Sequence, residues 1–171
     1  MKRLIILFLV LLASGVACAE TPITGAFGLK FGEAVDDTMA LHKEKDGYSI
    51  YAFAPDFKLK PFTDYFVHVT PVKHLIYEIE AIGYSEGSCY LRYLALKDVL
   101  TKKYGAGKEG SQFKRWYWYR HKEGKPQQKI FLDCEEYTDS GLVRLYYTDF
   151  IIRKNRMDEL VSEAEAEAGN L

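Results

Sequence analysis

The amino-acid sequence predicts an α+β domain, an antiparallel sheet of about six to seven strands with two main helices packed on it. Three observations carry this. Short runs rich in β-branched and aromatic residues recur between turn residues. Two longer stretches, 89–104 and 150–168, carry apolar residues at helical spacing. The strands come in groups closed by a single helix, an order that builds an antiparallel sheet rather than the strand–helix alternation of a parallel one.

In chain order, residues 21–32 (TPITGAFGLKFG) contain a short opening strand over 27–31, bent by glycines. Asp36 and Asp37 stand before TMALHKE and predict a helix of two turns with its acids at the positive end, stopped at Lys45-Asp46-Gly47. Residues 48–53 (YSIYAF) form the next strand, and Pro55 and Asp56 turn the chain. A hairpin follows, over 62–70 (FTDYFVHVT) and 75–83 (LIYEIEAIG). Alternation places Phe62, Phe66, His68, Leu75, Tyr77, Ile79 and Ala81 on one face, taken as the core, with Asp64 its only formal charge. Thr63, Tyr65, Val67, Val69, Ile76, Glu78, Glu80 and Ile82 fall on the other. A turn of two or of four residues leaves this parity unchanged.

Ser88 is placed as the N-cap of a helix over 89–104 and Gly105 as its C-cap. Its apolar stripe is Cys89, Tyr93, Leu96, Leu100 and Tyr104, flanked by Tyr90 and Val99, so Cys89 points inward. Residues 105–110 read as a flexible connection. Strands follow at 113–121, 129–136 and 142–148, and Asp149 caps a last helix whose stripe is Phe150, Met157, Leu160, Val161 and Ala164. Residues 48–104 and 113–168 thus both read strand, strand, strand, helix, compatible with a degenerate internal duplication.

The first residues, MKRLIILFLVLLASGVACAE, have a basic start, an apolar run and a small-residue ending, the pattern of a secretory signal with cleavage after Ala19. That leaves one domain, 20–171. The alternative is a lipoprotein signal ending at Cys18, although Gly15 stands where a lipobox carries Leu. No later stretch has the ~20 apolar residues of a membrane-spanning helix. The signal removes Lys2 and Arg3, so 23 basic residues become 21 against 24 acidic ones and the net charge moves from −1 to −3. Such a balance does not fit a nucleic-acid binder. Cys89 and Cys134 remain as an even pair in an exported chain, which predicts a disulfide.

Gly25-Ala-Phe-Gly-Leu-Lys-Phe-Gly32, the turn Val69-Thr-Pro71 and the helix end Leu100-Thr-Lys-Lys-Tyr-Gly105 give the chain its punctuation. With them it resembles a loose group of small exported proteins of Gram-negative bacteria, a likeness that runs over most of the mature chain. The resemblance implies a periplasmic or secreted location and no agreed chemistry.

Candidate sites are few. As a strand, residues 113–122 (FKRWYWYRHK) put Lys114, Trp116, Trp118, Arg120 and Lys122 on one side and Phe113, Arg115, Tyr117, Tyr119 and His121 on the other. An exposed Trp116–Trp118 pair flanked by Lys114 and Arg120 would stack sugar rings or hold an anionic glycan or peptide. The plainer alternative is that one aromatic set is core and the other is covered by aliphatic stems of the cations. His68 and His74 with Asp64 could form a two-histidine, one-carboxylate metal site, but no recognised zinc spacing is present and a packed histidine is the simpler reading. Glu78 with Glu80, and Glu135 with Glu136, are paired carboxylates without a nucleophile elbow, and the glycine-rich stretch at 25–32 lacks phosphate-loop spacing. No cofactor is predicted. The reading is an exported non-enzymatic envelope protein that binds a protein or envelope polymer such as a glycan. Alternatives are a small cell-wall hydrolase using Asp64, His68 or Glu80, and a lipid-anchored assembly factor retaining Cys18.

Overall fold

The structure, a computed structural model, describes residues 21–45, 47–112 and 114–168. The expected signal segment with Cys18, and Phe113, lie outside the described residues. Ten strands and two helices follow in the order β1 (Gly25–Ala26), β2 (Leu29–Lys30), β3 (Ala40–Lys45), β4 (Tyr48–Ala52), β5 (Asp64–Val69), β6 (Ile76–Glu86), α1 (Tyr90–Tyr104), β7 (Lys108–Glu109), β8 (Arg115–Lys122), β9 (Lys125–Glu136), β10 (Ser140–Asp149) and α2 (Phe150–Ala168). Eight strands form one antiparallel sheet in the order β3-β4-β5-β6-β10-β9-β8-β7. Two meanders, each followed by a helix, therefore meet where β6 pairs with β10. The α+β class and the antiparallel sheet stand as predicted, with more strands than expected.

The extra strands have local causes. Residues 27–31 do not form one strand, because Phe27 and Gly28 take positive φ (55° and 93°) and fold β1 back on β2 as a miniature hairpin. A bulky residue is disfavoured at positive φ. Phe27 is held there by burial among Tyr65, Phe62 and Tyr147, whose ring centroids lie 5.1, 6.3 and 6.1 Å from its own. The helix expected from Asp36 is absent. Asp36 Oδ1 accepts from the backbone N–H of Thr38 at 2.9 Å, closing a turn rather than starting a helix, and Ala40–Lys45 pairs with β4 as an exposed edge strand. The connection at 105–110 contributes β7, a two-residue edge beside β8.

The expected faces of the β5–β6 hairpin are corrected. Val69 pairs with Ile76, but His68 pairs with Glu78, so Tyr77 is an extra residue on β6, a bulge. One inserted residue reverses parity beyond it. Tyr65, Val67 and Val69 share the core face with Ile79 and Ala81, whereas Asp64, Phe66 and His68 share the opposite face with Glu78, Glu80 and Ile82.

The core lies between this first face and α1. It gathers Tyr65, Val67, Ile79, Ala81, Trp118, Ile130, Leu132, Val143, Leu145 and Tyr147 from the sheet with Tyr93, Leu100 and Tyr104 from α1. Leu96 is half-buried as its place in the stripe implies, whereas Tyr90 and Val99 are exposed. The Ser88 hydroxyl accepts from Tyr90 N–H at 3.1 Å, although the helix is capped one residue later, at Cys89, and Gly105 closes it with φ 81° and an N–H donated to Thr101 O at 2.8 Å. Cys89 and Cys134 form a disulfide, Cα–Cα 5.9 Å, that ties the start of α1 to β9.

Asp149 caps α2 as predicted, its Oδ1 accepting from Ile151 and Ile152 N–H at 2.9 and 3.1 Å. The expected buried stripe is not found, for no described α2 residue is fully buried and Met157 and Val161 are exposed. The helix crosses one end of the sheet instead. Ile152 approaches Gly32, Leu160 approaches Gly47, and Glu159 Oε2 accepts from the N–H groups of Val72 and Lys73 at 3.2 and 3.1 Å. Polar tethers replace the missing burial.

Candidate binding face

The face of the sheet away from α1 is built from the even-numbered residues of β5, β6 and β10 and the odd-numbered residues of β8 and β9. Register aligns them in rows across the strands. One row runs Ile50, His68, Glu78, Thr148, Lys129, Tyr119; the next runs Ala52, Phe66, Glu80, Tyr146, Phe131, Tyr117; a third runs Asp64, Ile82, Arg144, Asp133, Arg115. Cross-strand neighbours on one face stand close enough for their side chains to interact directly.

In the middle row the rings stack. Tyr117 lies 4.9 Å from Phe131, Phe131 5.7 Å from Tyr146, and Tyr117 6.0 Å from Tyr119 along β8, with interplanar angles of 21°, 22° and 15°. The rings face one another and turn their edges outward. Burial, with a hydrogen bond from its hydroxyl to Glu80, pushes the Tyr146 phenol above its ordinary range.

The ionic groups form two sets. His68 stands between two glutamates, Nε2 at 3.2 Å from Glu80 and Nδ1 at 3.8 Å from Glu78, and Glu78 also accepts from Thr148 Oγ1 at 2.7 Å. In the other set Asp133, almost fully buried, is shared by Arg115 Nε at 3.2 Å and Arg144 Nη2 at 2.5 Å, and Arg144 also reaches Glu135 at 2.8 Å. Between the sets, Glu78, Arg115, Lys129, Phe131, Asp133, Arg144 and Tyr146 line a shallow concavity of about 280 Å³. Every one of these residues belongs to the sheet.

The sequence-predicted pair does not lie here. Trp118 is 2% exposed beneath α1, its Nε1 donating to Gly105 O at 3.0 Å, and Trp116 is half-buried with Lys97 Nζ 3.4 Å over its ring. An exposed tryptophan platform is therefore absent, because the parity of β8 turns this set toward the core. Arg120 donates to Thr21 O and Tyr104 O at 2.9 and 2.8 Å, and Lys114 pairs with Glu136. Both tie segments of the chain together.

Asp64, His68 and Glu80 assemble only as the His68–Glu80 pair. Asp64 stands four residues from His68 along β5, roughly 13 Å at strand rise. His74 sits in the turn with its ring against Tyr51, a residue of the core face, so it does not join His68. Among the described residues, the three metal-ligating side chains that converge are Cys89, Cys134 and Glu136, and the two sulfurs are spent in the disulfide.

The stacked set was visible in the sequence only as the second side of residues 113–122. Its partners Phe131 and Tyr146 come from other strands and are joined by register. Fold and face together define an α+β domain with one sheet face covered by α1 and the other, flanked at Lys129 by Phe150 of α2, carrying the concavity. No family model matches the chain, and no curated protein or solved structure is significantly similar to it.

Proposed function

We propose that the chain is an exported, non-enzymatic envelope protein that binds another macromolecule through the open face of its sheet. The observation that carries this reading is the row Tyr146, Phe131 and Tyr117 with flanking ion pairs on a face whose central concavity is lined by sheet residues alone. Contiguous aromatic and cationic side chains at a surface are the composition of recognition sites. Export is supported by the signal-like start and by the Cys89–Cys134 disulfide, which persists in oxidising compartments. No described helix is long and apolar enough to cross a membrane, which is compatible with this location.

The test is site-specific photo-crosslinking in the source cell, with a photoreactive residue in place of Tyr117 on the open face or Leu91 on the outer face of α1. A defined adduct from position 117 and none from position 91 is expected. No adduct from 117, or the same adducts from both, refutes the reading. Intact mass separates the soluble from the lipid-anchored form, since cleavage after Ala19 and loss of two hydrogens identify the former.

A further inference from the structure

We infer that the open face recognises a carboxylate side chain from an acidic segment of a partner protein, and that Lys129 meets it. This rests on the proposed binding role of that face. The concavity is lined by three cations, Arg115, Lys129 and Arg144, and two carboxylates, Glu78 and Asp133. Asp133 is already shared by the two arginines, and Glu78 by Thr148 and His68. Lys129 is left with no carboxylate at ion-pair distance among the described residues. Its ammonium stands 5.7 Å from the Phe131 ring and 5.6 Å from the Phe150 ring.

A cation partly withdrawn from water without a counter-charge is unfavourable. Burial holds the Lys129 ammonium below the ordinary lysine range, opposed by Glu78 and reinforced by Arg153. Arg144 lines the same concavity four residues further along the paired strands, its guanidinium already engaged by Asp133 and Glu135. A carboxylate seated in the concavity against Lys129 would supply the ion pair that its ammonium lacks, in a charge-assisted hydrogen bond.

Ring orientation selects the source of that carboxylate. A sugar binds by lying on a free aromatic face, and here the faces of Tyr117, Phe131 and Tyr146 are turned to each other. What they present outward is ring edge, the positive part of the quadrupole, which suits an anion. A volume of about 280 Å³ accommodates a single side chain, so affinity grows with neighbouring acids along an extended peptide.

The test is an NMR titration of the oxidised protein with an acetylated hexaglutamate peptide, a neutral Ser-Gly hexapeptide and a galacturonate oligosaccharide. Shifts of the amides of Lys129, Phe131 and Arg144 with hexaglutamate, absent with the neutral peptide and reduced by salt, are expected. Lys129→Gln should weaken this binding at least about tenfold with the fold intact by its amide spectrum, while Lys97→Gln, on the covered side, leaves it unchanged. No shifts with hexaglutamate, equal binding by Lys129→Gln, or tighter binding of the oligosaccharide would each overturn the inference. An adduct from position 117 together with any of these results refutes the acidic peptide while leaving the binding face in place; absence of the adduct removes both.

Discussion

Replacing Cys89 and Cys134 by alanine tests the fold at its one covalent tie. The bridge joins positions 45 residues apart, and in the chain-entropy account such a loop restricts the unfolded chain enough to contribute about 4 kcal/mol. Both cysteines are buried, so the alanines add a small packing loss. For a chain of this size each kcal/mol moves the thermal midpoint by about 2–4 °C, so the double variant should melt roughly 8–16 °C below the oxidised protein. Circular dichroism melts with and without a reductant measure this. The reduced wild type should fall to the level of the variant, and reduction should not move the variant. A difference of under about 3 °C, or two reactive thiols in the denatured, unreduced protein, would refute the tie between α1 and β9.

Three further outcomes follow from the packing. Trp118→Ala should cost about 4 kcal/mol by urea melts and remove the blue-shifted, acrylamide-resistant part of the tryptophan emission; an emission readily quenched in the wild type contradicts the burial of Trp118. Tyr93, pushed up to about 12 by burial and by Glu109, and Tyr147, pushed higher by burial and by Tyr104, keep their protons when folded at pH values where the unfolded chain ionises, above about 10. Their contribution to stability is complete below about pH 10; that of Tyr93 is lost as pH rises through about 12, and that of Tyr147 at still higher pH. Ultraviolet titration of the native protein should therefore show a late phenolate phase, and all 13 tyrosines ionising together near pH 10 would exclude it. Glu159→Ala should cost about 1 kcal/mol and speed amide exchange along α2, since Glu159 holds the N–H groups of Val72 and Lys73; unchanged exchange would show the tether to be idle.

What could be read from the sequence was local. The spacing of Cys89, Tyr93, Leu100 and Tyr104 defines one helix face, and it is buried as read. Asp149 caps its helix because the capping interaction spans only three residues. The hairpin faces failed on a single inserted residue, Tyr77, since composition alone does not distinguish a bulge from a continued strand. Residues 40–45 became a strand because β4 offered a partner, a tertiary contact that overrides weak local helix signals. The open face was the least legible part. Alternation sorted Tyr117 and Tyr119 from Trp116 and Trp118, but which set meets α1 depends on the pairing of β8 with β9 and on the path of a helix formed earlier in the chain.

The meeting of β6 and β10 also governs the order in which the molecule can form. Every other pairing in the main sheet joins neighbours in sequence, so each meander can zip up on its own, whereas Ser85 waits for Gly141, 56 residues further along. While the first meander is paired and the second is not, β6 is a bare rim of backbone donors and acceptors, open to any passing strand. Closing that distant seam carries the largest loop-closure cost of the pairings in the main sheet.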